Sequence, residues 1–248
     1  MFGLDPYLPI NTLKPLADDV WIADGPVIRM RWLWTSIPFP TRMTVVRLSD
    51  GGLWIHSPTE LTPSLKAEID ALGPVRFLVA PNKIHYWWVR DWQLAYPGVL
   101  SFAAPRVEER AAARGAVFDR ILDASPVAEW GGEIGHVLVP GSFMVEADFI
   151  HRPSGTLILA DLIENFEAAR LHGRFWRLLC RIGGVLDPHG SMPRDLRMTF
   201  AGHRAEVRRA VDTMIGWSPM RIVIAHGRCY DANAVGELRR AFHWAGVQ

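Results

Sequence analysis

The chain has 248 residues, about half of them hydrophobic and 21% charged, with Lys plus Arg 27 against Asp plus Glu 26. That composition suits a folded protein with a sizeable core, and the balanced charge excludes a chain that binds nucleic acid or anionic surfaces through its net charge. Cys180 and Cys229 lack metal-ligand spacing and are too few for a disulfide framework. No apolar run reaches the roughly eighteen residues of a membrane span and no secretory pattern opens the chain, so a cytoplasmic protein without a transmembrane segment is expected. Eleven Trp predict an aromatic-rich core or an aromatic-lined pocket.

Pro6, Pro9 and Pro15 predict an irregular segment over residues 1–18. Residues 20–23 read as a strand turning at Asp24-Gly25-Pro26, followed by apolar stretches at 30–34 and 37–40 broken by prolines. Residues 43–48 form a strand, and Asp50-Gly51-Gly52 turns it into Leu53-Trp54-Ile55-His56. Thr62 as N-cap, Pro63 in the first turn and Leu65, Ile69 and Leu72 at helical spacing predict a helix closed by Gly73. Residues 75–80 are nearly all apolar, as in a strand buried on both faces.

A strand at 99–104 and a helix at 106–114 follow, then short strands through 162. Arg152-Pro153-Ser154-Gly155 joins strands 147–151 and 156–162 as a hairpin. After Asp161 the pattern is helical through Arg181, with Leu171, Phe175, Leu178 and Ile182 on one face and Arg170, Arg174, Arg177 and Arg181 beside them. Two further helices, marked by Val207, Val211, Met214 and Ile215 and by Val235, Leu238, Ala241 and Phe242, flank a strand at 221–226. No repeat or linker divides the chain, so one domain over 1–248 is expected. Strands in a meander, then alternating with helices, predict an α/β protein of four layers: two mixed sheets face to face with helices outside, an αββα sandwich.

Three apolar strands lead to ligand-type residues: 75–80 to His85, 156–160 to Asp161, and 221–225 to His226. Imidazole and carboxylate suit Zn or Fe. Each also has a plain structural reading. His226 could be a core histidine at a strand end, Asp161 an N-cap, and His85 a ring packed beside Tyr86 and Trp87. His151, on the hairpin strand, shares a sheet with Asp161. Glu146 precedes that strand as a candidate general base or proton carrier, with Asp148 a weaker one. His56 could support ligands from behind or make a structural hydrogen bond. Trp32, Trp34 and Phe39 are candidates for an apolar flap or for core.

The order of these pieces resembles the metallo-β-lactamase fold, and within it the uncharacterised DUF4336 branch. The likeness is carried by Arg42-Met43-Thr44-Val45-Val46-Arg47-Leu48, Leu53-Trp54-Ile55-His56-Ser57-Pro58, Val79-Ala80-Pro81-Asn82-Lys83-Ile84-His85, 149–157, Leu159-Ala160-Asp161-Leu162 and Ile224-Ala225-His226-Gly227. The resemblance implies an αββα sandwich with metals at one edge of its two sheets. Active members carry a His-x-His-x-Asp-His loop after the strand equivalent to 75–80. Here that loop reads Asn82-Lys83-Ile84-His85-Tyr86-Trp87 and keeps one of four ligands. The later Gly-His step reads Gly141-Ser142, while Asp161 stands for the bridging Asp and His226 for the final His.

The expected function is therefore a divergent hydrolase. One Zn or Fe ion, held by His226, Asp161 and one or both of His85 and His151, activates water toward an ester, amide or related bond, with Asp161 and Glu146 as the catalytic carboxylates. The alternative is a non-catalytic member of the fold with no ion, whose cleft binds a small molecule or a protein partner. The Arg-rich helix within 166–182 admits peripheral membrane contact as a weaker reading, against a solvated helix face.

Overall fold

The computed structural model describes residues 3–32 and 35–248. In chain order, β1 (Gly3–Leu4) and β2 (Lys14–Ala17) lead into two long strands, β3 (Val20–Trp32) and β4 (Thr35–Arg47), then β5 (Leu53–His56). Helix α1 (Pro63–Leu72), β6 (Val75–Ala80), α2 (Val89–Ala95), β7 (Leu100–Ala103), α3 (Glu108–Ala111) and β8 (Arg120–Ile121) complete the first half. The second half runs β9 (Ile134–Pro140), β10 (Val145–His151), β11 (Thr156–Ile158), β12 (Leu171–His172), α4 (Arg174–Gly183), α5 (Arg194–Thr199), α6 (Arg204–Gly216), β13 (Arg221–Val223) and α7 (Ala234–Ala241).

A seven-stranded sheet has the order β2-β3-β4-β5-β6-β7-β8, and a four-stranded sheet the order β13-β11-β10-β9. Both are mixed: β5, β6, β7 and β8 pair in parallel and so do β11 and β13, while the remaining neighbours are antiparallel. Period-two alternation sorts the side chains into layers. Val46, Trp54, Phe77 and Val79 of the large sheet meet Ala147, Phe149 and Ile158 of the small one. Their chain neighbours Val45, Ile55 and Leu78 face outward onto Leu65 and Ile69 of α1 and Trp92 of α2. Ile150, Leu157 and Ile222 face the other way, onto Val207, Val211 and Met214 of α6 and Leu238 of α7. The αββα sandwich follows from that sorting. Trp54, Trp92 and Trp130 are fully buried, each removing about 2–3 kcal/mol worth of apolar surface from water, so much of the indole content is core.

Several local expectations hold. Thr62 caps α1 through its hydroxyl, which accepts from the Leu65 amide, and Gly73 closes it. The 152–155 hairpin joins β10 to β11. Others are corrected. Residues 14–17 form an edge strand, and edge position tolerates Pro15. Asp24-Gly25-Pro26 makes a bulge inside one continuous strand, because β3 and β4 pair on both sides of it. Pro38 and Pro40 do not break β4, since β5 pairs only with 44–47 and leaves that flank without a ladder to interrupt. Residues 162–173 hold no α-helix, only a three-residue 3₁₀ turn at Ala168–Arg170: Leu171 pairs with Leu4 in the β1–β12 ribbon, and the Phe166 amide donates to the Val185 carbonyl. No helix among the described residues is long and apolar enough to cross a membrane.

Candidate metal centre

Four chain segments converge at one end of the sandwich: the turns after β5, β6, β11 and β13. They deliver Ser57, His85, Asp161 and His226, and β10 starts beside them with Glu146. The Asp161 Oδ1 lies 3.0 Å from His226 Nε2, its Oδ2 lies 3.2 Å from His85 Nε2, and the two ring nitrogens are 3.3 Å apart. One donor atom from each of the three residues falls within 4.8 Å of the others. His85, Asp161 and His226 are brought together as expected, and all three side chains are nearly buried.

The hydrogen bonds behind the rings decide what those donors present. His226 Nδ1 sits 2.8 Å from the Pro40 carbonyl oxygen. A carbonyl only accepts, so Nδ1 carries the proton. Burial holds the His226 pKa below its ordinary value against the pull of Asp161, which favours the neutral ring with Nε2 as a lone pair. A nitrogen lone pair 3.0 Å from a carboxylate oxygen is a contact that a proton or a metal ion between them relieves. The donor separations of 3.0–3.3 Å match the edge of about 3.3 Å expected when ligands lie about 2.0–2.1 Å from a tetrahedral zinc. Two imidazoles and a carboxylate also form a donor set proper to Zn or Fe. The residues fit an ion.

His85 is braced by Ser57, whose Oγ is 2.7 Å from its Nδ1. Burial opposes a charge on His85, but Asp161 and then Glu146 outweigh it and hold its pKa above the ordinary value. Asp161 is driven the other way: burial opposes its charge, and His85 and His226 together press its pKa far below the carboxylate range. A proton on His85 is thus the competing cation.

Asn82 and Glu146 hold Asp161 from behind. Asn82 Nδ2 donates to Asp161 Oδ2 at 2.6 Å and to Glu146 Oε2 at 2.7 Å, and its Oδ1 accepts from the Ile84 amide at 2.9 Å. Glu146 Oε1 accepts from the amides of Ala160, Asp161 and Leu162 at 2.9–3.2 Å. Burial first, then the Asp161 charge, raise the Glu146 pKa to about 7, with the Asp161 amide and Asn82 pulling it back. Glu146, expected as a proton carrier, lies behind Asp161 rather than among the residues lining the cleft. Its oxygens are committed to donors that shape the Asp161 loop.

His151 is also corrected. It lies five residues beyond Glu146, roughly 16 Å along an extended strand, at the hairpin end of β10. There its Nδ1 meets Ser154 Oγ at 2.8 Å. Sharing a sheet with Asp161 did not bring it to the same edge. His56 stacks on Trp54 with ring centroids 5.8 Å apart, and its Nε2 has no hydrogen-bond partner. Burial, then His85, lower its pKa to about 3, so it is a neutral core ring. Asp148 is buried beside Glu146, and burial followed by the Glu146 charge pushes its pKa well above the ordinary range.

A cleft of about 360 Å³ opens onto this centre, with Asp161 and His226 at its polar end and Phe39, Ile84, Phe166, Trp176 and Leu179 among its walls. Phe39, a candidate for the flap or for core, meets His226 edge to face at 5.3 Å. Trp34 and the side chain of Trp32 lie outside the described residues. Glu164 also lines the cleft. Burial, then Asp161, Asp195 and Glu146, raise its pKa well above the ordinary range, which favours the neutral carboxyl in this apolar space. Sequence reasoning missed it because 162–173 read as helix, although Glu164 stands only three residues beyond Asp161.

Two more residues position His226. Arg42, fully buried, sends Nε and Nη2 to Asp24 Oδ1 at 2.8 Å each and Nη1 to the carbonyls of Ile224 and Gly227 at 2.8 and 2.7 Å. It clamps the carbonyls on both sides of His226 to β4, the strand that supplies Pro40. Gly227 has φ +104°, and a Cβ there would sit 2.1 Å from the Asn165 carbonyl oxygen. Only glycine permits that turn.

No known family model matches the chain, and no curated protein does. Solved structures do. A metallo-β-lactamase from Hirschia baltica superposes with a TM-score of 0.60 at 13% identity, over 94% of this chain and 97% of that one. One from Pontibacter korlensis gives 0.58 at 14% identity, over 96% and 99%. The mono-zinc form of FIM-1 from Pseudomonas aeruginosa gives 0.58 at 13% identity, over 96% of each. At such identities the shared property is the fold, which is the metallo-β-lactamase αββα sandwich.

Proposed function

We propose that the chain, as one domain over 1–248, is a divergent metal-dependent hydrolase of this fold with a mononuclear centre of His85, Asp161 and His226. The observation that carries this reading is the bare His226 Nε2, its other nitrogen committed to the Pro40 carbonyl, set 3.0 Å from the Asp161 carboxylate. Three protein donors and an open side toward the cleft are the composition of a catalytic rather than a structural site. When bound, a Zn or Fe ion supplies Lewis acidity, which polarises a carbonyl and makes water acidic enough to attack near neutral pH.

The chain's own residues supply the rest. Asn82 and Glu146 fix the Asp161 carboxylate, and Ser57 and Pro40 fix the ring orientations. The apolar walls exclude bulk water and receive an apolar group of an ester, amide or related substrate. Glu164 lines that space with its pKa raised, the direction a group needs to give a proton to a departing oxygen or nitrogen. The finer kinship with the DUF4336 branch rests on the sequence strings quoted above, and the unpaired Cys180 and Cys229 fit the reducing compartment expected for a cytoplasmic protein.

The test is metal uptake. Chelator-treated protein titrated with Zn²⁺ or Fe²⁺ binds one equivalent by elemental analysis, and about 2.7 kcal/mol of stability appears when the ion is 100-fold above its Kd. Absence of stoichiometric uptake ends the reading. The second reading, a metal-free binding protein, is favoured by the loop Asn82-Lys83-Ile84 in place of ligands and by the raised pKa of His85, whose proton bridges to Asp161. It predicts no metal uptake, and no turnover for His226→Ala to abolish.

A further inference from the structure

Helix α4 is apolar on two sides. Its inner side buries Trp176 and Cys180. Its outer side carries Phe175, Leu178 and Ile182, at 62%, 50% and 54% exposure. The 3- and 4-residue spacings put those three on one stripe. The sequence pattern had them as the packed face. The structure turns the helix over, because the indole of Trp176 with Leu179 and Cys180 fills the space above Phe166 and Val185. Arg174, Arg177 and Arg181 line the stripe, all exposed, and no acidic residue lies within the helix. Among the described residues no ion pair reaches any of the three, whereas neighbouring Arg170 is paired with Glu167. Beside the stripe an open groove runs over Ala168 and Leu186.

We propose that the outer side of α4 is a docking surface for an anionic lipid bilayer, with Phe175, Leu178 and Ile182 entering the interface and Arg174, Arg177 and Arg181 meeting the headgroup phosphates. Charge complementarity selects this occupant. The chain as a whole is near neutral at +1, yet this ten-residue helix holds three cations and no anion around its exposed apolar side chains, the composition of a helix that lies in a membrane interface. The surface is also continuous with the cleft: Ile182 belongs to both, and Leu179 on the same helix walls the cleft within. An apolar substrate partitioned into the bilayer would therefore enter past α4. That extension to substrate rests on the hydrolase reading; the docking does not.

The test is flotation of the full chain with phosphatidylcholine vesicles, with and without phosphatidylserine. The expected result is binding to the anionic vesicles that weakens with salt. Arg174→Glu with Arg181→Glu should lower it at least about tenfold, and Leu178→Ser with Ile182→Ser should lower it as well, each at an unchanged melting temperature because these side chains are exposed. His226→Ala binds vesicles like the unaltered protein, which separates docking from the metal centre. Vesicle binding that is absent, or unaltered by the Arg changes, overturns the proposal. So does a dimer in light scattering that the same substitutions dissolve while vesicles are ignored, which would assign the face to a second copy of the chain.

Discussion

Arg42→Met tests how the centre is held. The thioether side chain nearly fills the volume of the arginine stem but removes its charge and all its donors. Asp24 keeps Lys14, whose Nζ is 2.7 Å away, so the carboxylate is not left alone. The carbonyls of Ile224 and Gly227, which Nη1 reaches at 2.8 and 2.7 Å, are left buried without that donor, at about 1–3 kcal/mol each. Removing one member of a buried pair costs about 3–5 kcal/mol, and with Lys14 retained the lower part of that range applies, about 3–4 kcal/mol. For a chain of this size that is a fall in melting temperature of about 6–16 °C. The measurement is thermal and urea unfolding of the metal-free protein, followed by zinc titration of the surviving fold. Zinc affinity should drop too, because His226 sits between the two released carbonyls. A loss below about 1 kcal/mol, the size of an exposed ion pair, would refute the clamp.

Three further outcomes follow from the same geometry. Glu146→Gln should show a stability difference from the unaltered protein that depends on pH. The carboxyl is neutral in both states below about pH 4.5 and ionised in both above about 7, and between them only the unfolded chain ionises. Each pH unit of that window therefore costs the unaltered metal-free protein about 1.4 kcal/mol relative to the variant, and a flat difference in denaturant titrations contradicts the shift. Gly227→Ala should cost about 3 kcal/mol or more, from a positive φ and a Cβ against the Asn165 carbonyl; calorimetry showing a near-neutral change would be the contrary result. His151→Ala should leave zinc stoichiometry at one while His226→Ala abolishes it, and equal loss in both would return His151 to the centre.

The layers were legible because alternation is local. Val45 and Val46, Trp54 and Ile55, and Phe149 and Ile150 each point one side chain to the inter-sheet core and one to a helix layer, and strand chemistry writes that pattern residue by residue. The α1 cap at Thr62 and the turns at 50–52 and 152–155 were legible for the same reason. So were His85, Asp161 and His226, since a ligand-type residue just beyond a buried strand is visible in one dimension.

What only the tertiary structure decided is partnership between distant segments. Nothing near His226 in the chain says that the Pro40 carbonyl takes its Nδ1 proton, yet that bond leaves Nε2 bare. Nothing near Glu146 says that its acceptors will be spent on the amides of 160–162, whereas the hairpin at 152–155 already set His151 at the opposite end of its strand pair from Asp161. For α4 both sides are apolar in sequence, and the choice of Trp176 over Phe175 as the buried ring was made by the shape of the space above Phe166. Hydrogen-bond partners and packing faces are selected by non-local geometry, so the sequence by itself determined the sandwich and the three converging residues, and the folded structure determined their protonation, their supports and the face left outside.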